Sequence, residues 1–139
     1  MPYEVLLLSP HLSALGRDVA NFFSADVATD AQDVPRMMAD KRYRIVVMDL
    51  INDSPIDLMS CQALLQQECM HTVPLVALTT DYSVKDKVKA LEIGCDDLID
   101  SKTTPDEVFA RITKSIFHQI ANSQLNQRLL LATETARNA

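Results

Sequence analysis

The sequence predicts an α/β fold: a three-layer, doubly wound parallel sheet of five strands with an extended C-terminal helix. Three observations predict it. Short β-branched apolar runs alternate with stretches of helical spacing, the order that builds a parallel sheet covered on both faces. Several of these runs are continuously apolar, as interior strands buried on both sides must be. Five such units in about 120 residues fit the flavodoxin-like strand order 2-1-3-4-5.

The elements follow in sequence. Val5–Leu8 is the first strand and stops at Ser9-Pro10. Ser9 suits the cap of the next helix and Pro10 its first turn, where a missing N–H costs nothing. Leu12, Leu15, Val19, Phe22 and Phe23 then share one helical face. Ala25–Ala28 is the weakest strand, and Asp33-x-Pro35 opens a short second helix. Ile45–Met48 is the third strand, ending at Asp49. Leu58, Leu64 and Leu65 mark the third helix. Leu75–Leu78 is the fourth strand, ending at Thr79. Val84, Val88 and Leu91 mark the fourth helix, opened by Ser83 with Asp86 three residues on and stopped by Gly94. Leu98-Ile99 is a short fifth strand.

Thr104-Pro105-Asp106-Glu107 reads as a helix start, with a cap, a proline at the first position and an acid at the third. Its apolar spacing runs through Val108, Ile112, Ile116 and Ile120 to Leu125 and Leu129, about 30 residues or about 45 Å. The expectation is a folded domain over residues 1–121 and a helical extension over 122–139 toward an output domain. The extension's apolar stripe is narrow, so it either frays or pairs with a second copy as a homodimer.

Composition narrows the function. The 139 residues carry a net charge of −6 and a pI near 4.9, which opposes nucleic-acid binding because phosphate contacts need a basic face. No apolar run approaches the roughly 20 residues of a membrane span. Met1-Pro2-Tyr3-Glu4 lacks the basic start of a signal peptide. Cys61, Cys69 and Cys95 are odd in number and fit no zinc or redox spacing, so free thiols in the cytoplasm are expected. His11, His71 and His118 are too scattered for a metal site. With only Gly16 and Gly94, the chain has neither a phosphate-binding loop nor a dinucleotide fingerprint.

Sheets of this kind bind ligands at the C-terminal ends of their strands. Those positions are Ser9, Asp49, Thr79 and the Asp100-Ser101-Lys102 stretch. Three segments stand out: RIVVMDL ending in Asp49-Leu50, Val-Pro-Leu-Val-Ala-Leu-Thr ending at Thr79, and Lys89-Ala90-Leu91-Glu92-x-Gly94-x-Asp96-Asp97. Together, in this order and spacing, the chain from about Tyr3 to Ile120 resembles the receiver domain of two-component response regulators.

The resemblance implies that Asp49 is the phosphoacceptor for a histidine kinase and Thr79 the phosphoryl contact. It also implies Mg²⁺ held by an acidic pair after the first strand, a lysine followed by proline after the fifth, and an aromatic residue on the fifth. Here the acidic-pair positions are Ser9 and Pro10, the lysine position is Ser101 with Lys102 in the proline's place, and the aromatic position is Leu98. Asp53 and Asp57 replace the loop's usual proline and glycine. Mg²⁺ prefers carboxylate oxygens, and Ser9 and Pro10 supply none. The expectation is a degenerate receiver without a metal or catalytic group, acting as a regulatory interaction module. Lys102 is the nearest basic candidate to face Asp49.

The alternative is an active receiver phosphorylated on Asp49 with a rearranged metal site. Asp53, Asp57, Asp96, Asp97 and Asp100 are then either solvated loop charges or a displaced cation site. An enzyme is disfavoured: a dehalogenase-type phosphatase needs a second aspartate two residues after the first, and that position is Ile51.

Overall fold

The computed structural model describes residues 4–52, 58–80 and 82–138. Strands β1 (Val5–Leu8), β2 (Asp26–Ala28), β3 (Ile45–Asp49), β4 (Leu75–Thr79) and β5 (Asp97–Asp100) form one sheet in the order β2-β1-β3-β4-β5, every pair parallel. Helices α1 (Ala14–Phe23), α2 (Asp33–Asp40), α3 (Leu58–Leu65), α4 (Val84–Glu92) and α5 (Pro105–Asn138) alternate with them. A short 3₁₀ turn, Glu68–Met70, precedes β4. This is the strand order that the sequence predicts.

Successive strand residues point to opposite faces, which divides the core in two. On one side Leu6, Leu8, Val46, Met48, Ala77 and Leu98 pack under α2, α3 and α4, through Val34, Leu58, Cys61, Leu64 and Ala90. On the other, Leu7, Ile45, Val47, Val76, Leu78 and Ile99 pack under α1 and α5, through Val19, Phe23, Val108, Ile112 and Ile116. Leu98, at the position where the family has its aromatic, is an ordinary core residue.

Two helices differ from expectation. Ser13, not Ser9, caps α1: its hydroxyl accepts the Gly16 N–H at 2.9 Å, so the helix starts at Ala14. Leu12 therefore precedes the helix and is exposed, and Phe22 lies half-exposed at the rim of the packed face. In α4 the Ser83–Asp86 capping box forms as predicted, and Gly94 (φ 111°) turns the chain after it. Yet Val84, Val88 and Leu91 face outward and only Ala90 is buried, so α4 approaches the sheet on its smallest side chain.

The edge strand β2 is pinned by a polar cluster. Asp26 accepts from the Tyr43 hydroxyl at 2.6 Å and from Lys41 at 2.9 Å, and Lys41 also meets Glu4 at 3.0 Å. The Tyr43 and Lys41 hydrogen bonds hold the Asp26 carboxyl below its usual range. Burial, reinforced by the neighbouring Asp26, pushes the Tyr43 phenol up to about 12.

Helix α5 runs unbroken for 34 residues, about 50 Å. Val108, Ile112 and Ile116 are buried, whereas Leu125, Leu129, Leu130 and Leu131 are exposed. Among the described residues, no helix is long and apolar enough to cross a membrane.

The Tyr43 cluster predicts a pH signature. Its folded pKa is raised, so its contribution to stability is complete below the unfolded value near 10 and is lost as pH rises through about 12. Ultraviolet titration should show one tyrosine ionising near that upper value, and Asp26→Asn should bring it part of the way back toward 10.

Candidate functional site

Strands β1, β3, β4 and β5 bring their C-terminal ends together at one edge of the sheet, with Asp49 near the middle. Asp49 is the last residue of β3, paired in register with Leu78 of β4, and only 1% exposed. It does not solvate the strand end. A buried carboxylate needs partners, and this one has several. Ser9 Oγ donates to its Oδ2 at 2.9 Å, the Ser13 N–H donates to Oδ2 at 2.8 Å, and Ser13 Oγ donates to Oδ1 at 2.9 Å. A longer bond from the Ile51 N–H, 3.4 Å, reaches Oδ1.

The N-cap of α1 thus sits directly on Asp49. Ser13 accepts from Gly16 as a cap and donates to the carboxylate, using both capacities of its hydroxyl. The positive end of the helix dipole faces a negative group, a favourable arrangement. Such closeness requires Gly16: a Cβ there would collide with Asp49 Oδ2 and lie 3.0 Å from its Cγ.

Ser9 is fully buried and acts as a hydrogen-bond donor to Asp49, in place of the helix cap the sequence suggests. Pro10 is exposed in the loop. Thr79 ends β4 beside Asp49's strand, fully buried, and its Oγ1 has no hydrogen-bond partner among the described residues. Its carbonyl accepts the Ser101 N–H at 2.7 Å. Lys102 is exposed, and its backbone N–H bonds to Asp100 Oδ1 at 2.8 Å. Among the described residues, the hydrogen bonds to Asp49 come from Ser9, Ser13 and Ile51 and not from Lys102. The loops are tied together around the site: Asn52 Nδ2 donates to the His11 carbonyl and Thr80 Oγ1 to the Ile51 carbonyl.

Asp53 and Asp57 lie outside the described residues. Among the described residues, Asp96, Asp97 and Asp100 do not come together as a cation site. Asp96 and Asp97 lie at the opposite end of β5 from Asp100. Asp96 accepts the Leu75 N–H at 3.0 Å, and burial pushes its carboxyl up. Asp97 takes a two-pronged contact from Arg111, at 2.8 and 2.6 Å, with Lys87 at 3.5 Å. Among the described residues, no three His, Cys, Asp or Glu side chains stand close enough to hold a metal ion. Among the described residues, an Mg²⁺ ion would meet one carboxylate already engaged by donors, a serine hydroxyl donating to it, and a proline. This set does not fit the ion.

Ser13 is the residue the sequence reading missed. A signal was present: it immediately precedes Ala14-Leu15, where the buried helical spacing begins. Leu12, three residues before Leu15, obscured it by continuing the apolar period backwards.

No family model matches the sequence. Among curated proteins, the chain is 28% identical over 123 residues to a probable transcriptional regulator, ycf27, of Porphyridium aerugineum. It is 30% identical over 108 residues to the alkaline phosphatase synthesis transcriptional regulatory protein PhoP of Bacillus subtilis. These matches take in 88% and 78% of this chain but 47% and 42% of the relatives, so the chain spans less than half their length. Among solved structures, a CheY-like response regulator receiver domain protein from Methanospirillum hungatei superposes with a TM-score of 0.67 at 14% identity. That superposition covers 86% of this chain and 98% of the other.

The Gly16–Asp49 contact predicts a coupled pair. Gly16→Ala should destabilise the fold by about 1–3 kcal/mol, overriding the roughly 1 kcal/mol that alanine normally adds to helix stability. In an Asp49→Ala background, which removes the colliding oxygen, the same change should be neutral or stabilising. Urea unfolding of the two singles and the double measures the coupling.

Proposed function

The chain carries a receiver domain of the response-regulator type, and from that premise we propose that it is a degenerate receiver. It works as a regulatory interaction module, with little or no Mg²⁺-dependent phosphorylation, in front of an output domain. One observation carries the reading. The carboxylate at the phosphoacceptor position, Asp49, is buried and bonded by Ser9, Ser13 and the start of α1.

Phosphoryl transfer to an aspartate requires a free carboxylate oxygen in line with the donor and a nearby cation to neutralise charge. Here both oxygens accept hydrogen bonds. Ser9 and Pro10 bring no negative charge to attract a metal, and the basic group in this register, Lys102, is exposed. The donors around Asp49 do what the metal would otherwise do for its charge, but permanently. The module therefore signals through surfaces that partners read, without a metal-dependent covalent cycle, and it is not an enzyme. A histidine kinase remains a partner class by virtue of the fold.

A second reading has one specific observation in its favour. Among the described residues, the Thr79 hydroxyl is buried without a partner, as a group awaiting a phosphoryl oxygen would be. In that reading Asp49 exchanges its serine donors for a phosphoryl group received from a histidine kinase.

Intact-mass measurement after incubation with acetyl phosphate and Mg²⁺ separates the two. The degenerate reading expects the mass to stay essentially unchanged. Stoichiometric addition of one phosphoryl group, absent in Asp49→Asn, establishes the active receiver instead. Restoring the acidic pair with Ser9→Asp and Pro10→Asp should raise Mg²⁺ affinity, read from amide shifts near Asp49.

A further inference from the structure

The end of the sheet opposite Asp49 holds two adjoining cavities. The smaller, about 210 Å³, is lined by Arg42 and Arg44 from the turn into β3, by Cys69 and Thr72 from the turn before β4, and by Gln119 of α5. The larger, about 530 Å³, shares Thr72, Val73 and Gln119 with it and adds His71, Asp96, His118, Asn122 and Ser123. Strand direction sets their place: both lie where β3, β4 and β5 begin, whereas Asp49 lies where β3 ends.

The smaller cavity is cationic in an acidic protein. The chain carries a net charge of −6, yet two arginines line this cavity and no carboxylate does. The neighbouring Lys41 is spent on Glu4 and Asp26, Arg36 is paired with Asp33, and Lys87 and Arg111 are paired with Asp97. Arg42 and Arg44 have no carboxylate partner among the described residues. Two like charges at one small cavity repel each other, and an anion between them turns that repulsion into attraction. The guanidinium fork matches a phosphoryl group, and the Thr72 hydroxyl adds a further donor.

Gln119 stands between the cavities with one end of its amide unsatisfied. Its Nε2 donates to Ser123 Oγ at 3.1 Å, while its Oε1 is buried without a partner among the described residues. An amide oxygen accepts, so it calls for a donor. A phosphate ester ionised at neutral pH offers none from its phosphoryl oxygens. The ligand must therefore bring hydroxyl or amine donors beside its anionic end. The larger cavity fits the hydroxyl case, because Asp96, Asn122 and Ser123 line it with further acceptors.

We propose that the two cavities together bind a sugar phosphate. Its phosphoryl group lies between Arg42 and Arg44 with Thr72, one hydroxyl donates to Gln119 Oε1, and the others meet Asp96, Asn122 and Ser123. The larger cavity lies within the usual range for small-molecule sites, roughly 300–1,000 Å³. Gln119, Asn122 and Ser123 follow Ile116, after which α5 projects from the domain. A bound ligand thus ties the root of the projecting segment to the turns before β3 and β4. The domain gains an input that does not pass through Asp49.

The test is a titration of the full chain followed by nuclear magnetic resonance of its amide and side-chain N–H groups. The probes are glucose-6-phosphate, ribose-5-phosphate, inorganic phosphate and glucose. At least one sugar phosphate is expected to saturate in the low millimolar range or below, with shifts centred on Arg42, Arg44, Thr72 and the Gln119 amide. It should bind at least about tenfold more tightly than inorganic phosphate, and glucose alone should cause no saturable shift. Arg42→Gln, at an exposed position, and Arg44→Gln should each weaken it by about tenfold. Gln119→Leu keeps the size and removes the acceptor, so it should weaken the sugar phosphate and leave inorganic phosphate unchanged. Circular dichroism checks that each variant keeps the fold. Saturation by neither sugar phosphate overturns the proposal, as do shifts centred elsewhere on the surface. Equal affinity for sugar phosphate and inorganic phosphate, or undiminished binding by the double arginine variant, overturns it as well. These residues lie at the other end of the sheet from Asp49, so the acetyl phosphate result and this one are read independently.

Discussion

The contact between Asp49 and the first turn of α1 is the constraint from which the rest of the site follows. A carboxylate at 1% exposure has no water to solvate it, so the protein must supply the equivalent. Hydrogen bonds to a charged group contribute about 1.5–3 kcal/mol each, and the larger penalty falls on leaving such a group bare. Three short bonds meet this need, and all come from the segment between β1 and α1. That segment is therefore fixed in position. Its serines must reach inward, its helix must be capped by Ser13, and Gly16 must lack a side chain. The polar centre of the domain is a staple between the third strand and the first helix.

This staple explains why the strand ends can be receiver-like in layout and unlike a receiver in charge. The sheet order, the register of Asp49 with Leu78 and the position of Thr79 depend on apolar strands packed between two helical layers. None of that requires a metal. With Ser9 and Pro10 at the family's acidic positions, the negative charges that would repel one another without a cation are absent. The remaining carboxylate can then be satisfied by neutral donors and a helix N-terminus. Thr79 Oγ1 is the exception, a buried hydroxyl with no partner among the described residues.

Much of the fold is legible in the sequence, for local reasons. The interior strands are continuous apolar runs, the Ser83–Asp86 box is an i,i+3 pair, and the start of α5 is a three-residue signal. What the sequence hides is non-local. Nothing near Asp49 in the chain reveals that its partners lie 36 and 40 residues earlier. The orientation of α4 is hidden for a related reason: Val84, Val88 and Leu91 have the correct spacing for a buried face, yet tertiary contact selects Ala90. Asp96 and Asp97 stand at the start of a strand that ends at the site, so strand direction places them at its far end. There Asp97 binds Arg111 and holds α5 to β5.

Helix α1 links the buried carboxylate to helix α5. Its N-terminus is bonded to Asp49, and its C-terminus carries Phe22 and Phe23, which meet Phe109 of α5 with centroids 4.2 and 6.1 Å away. Ten residues separate a polar anchor from an aromatic one. The helix is thus held at both ends by packed groups, which makes a continuous chain of contacts between Asp49 and α5. Spatial continuity supplies the route; energetic coupling requires that both ends bias one two-state element.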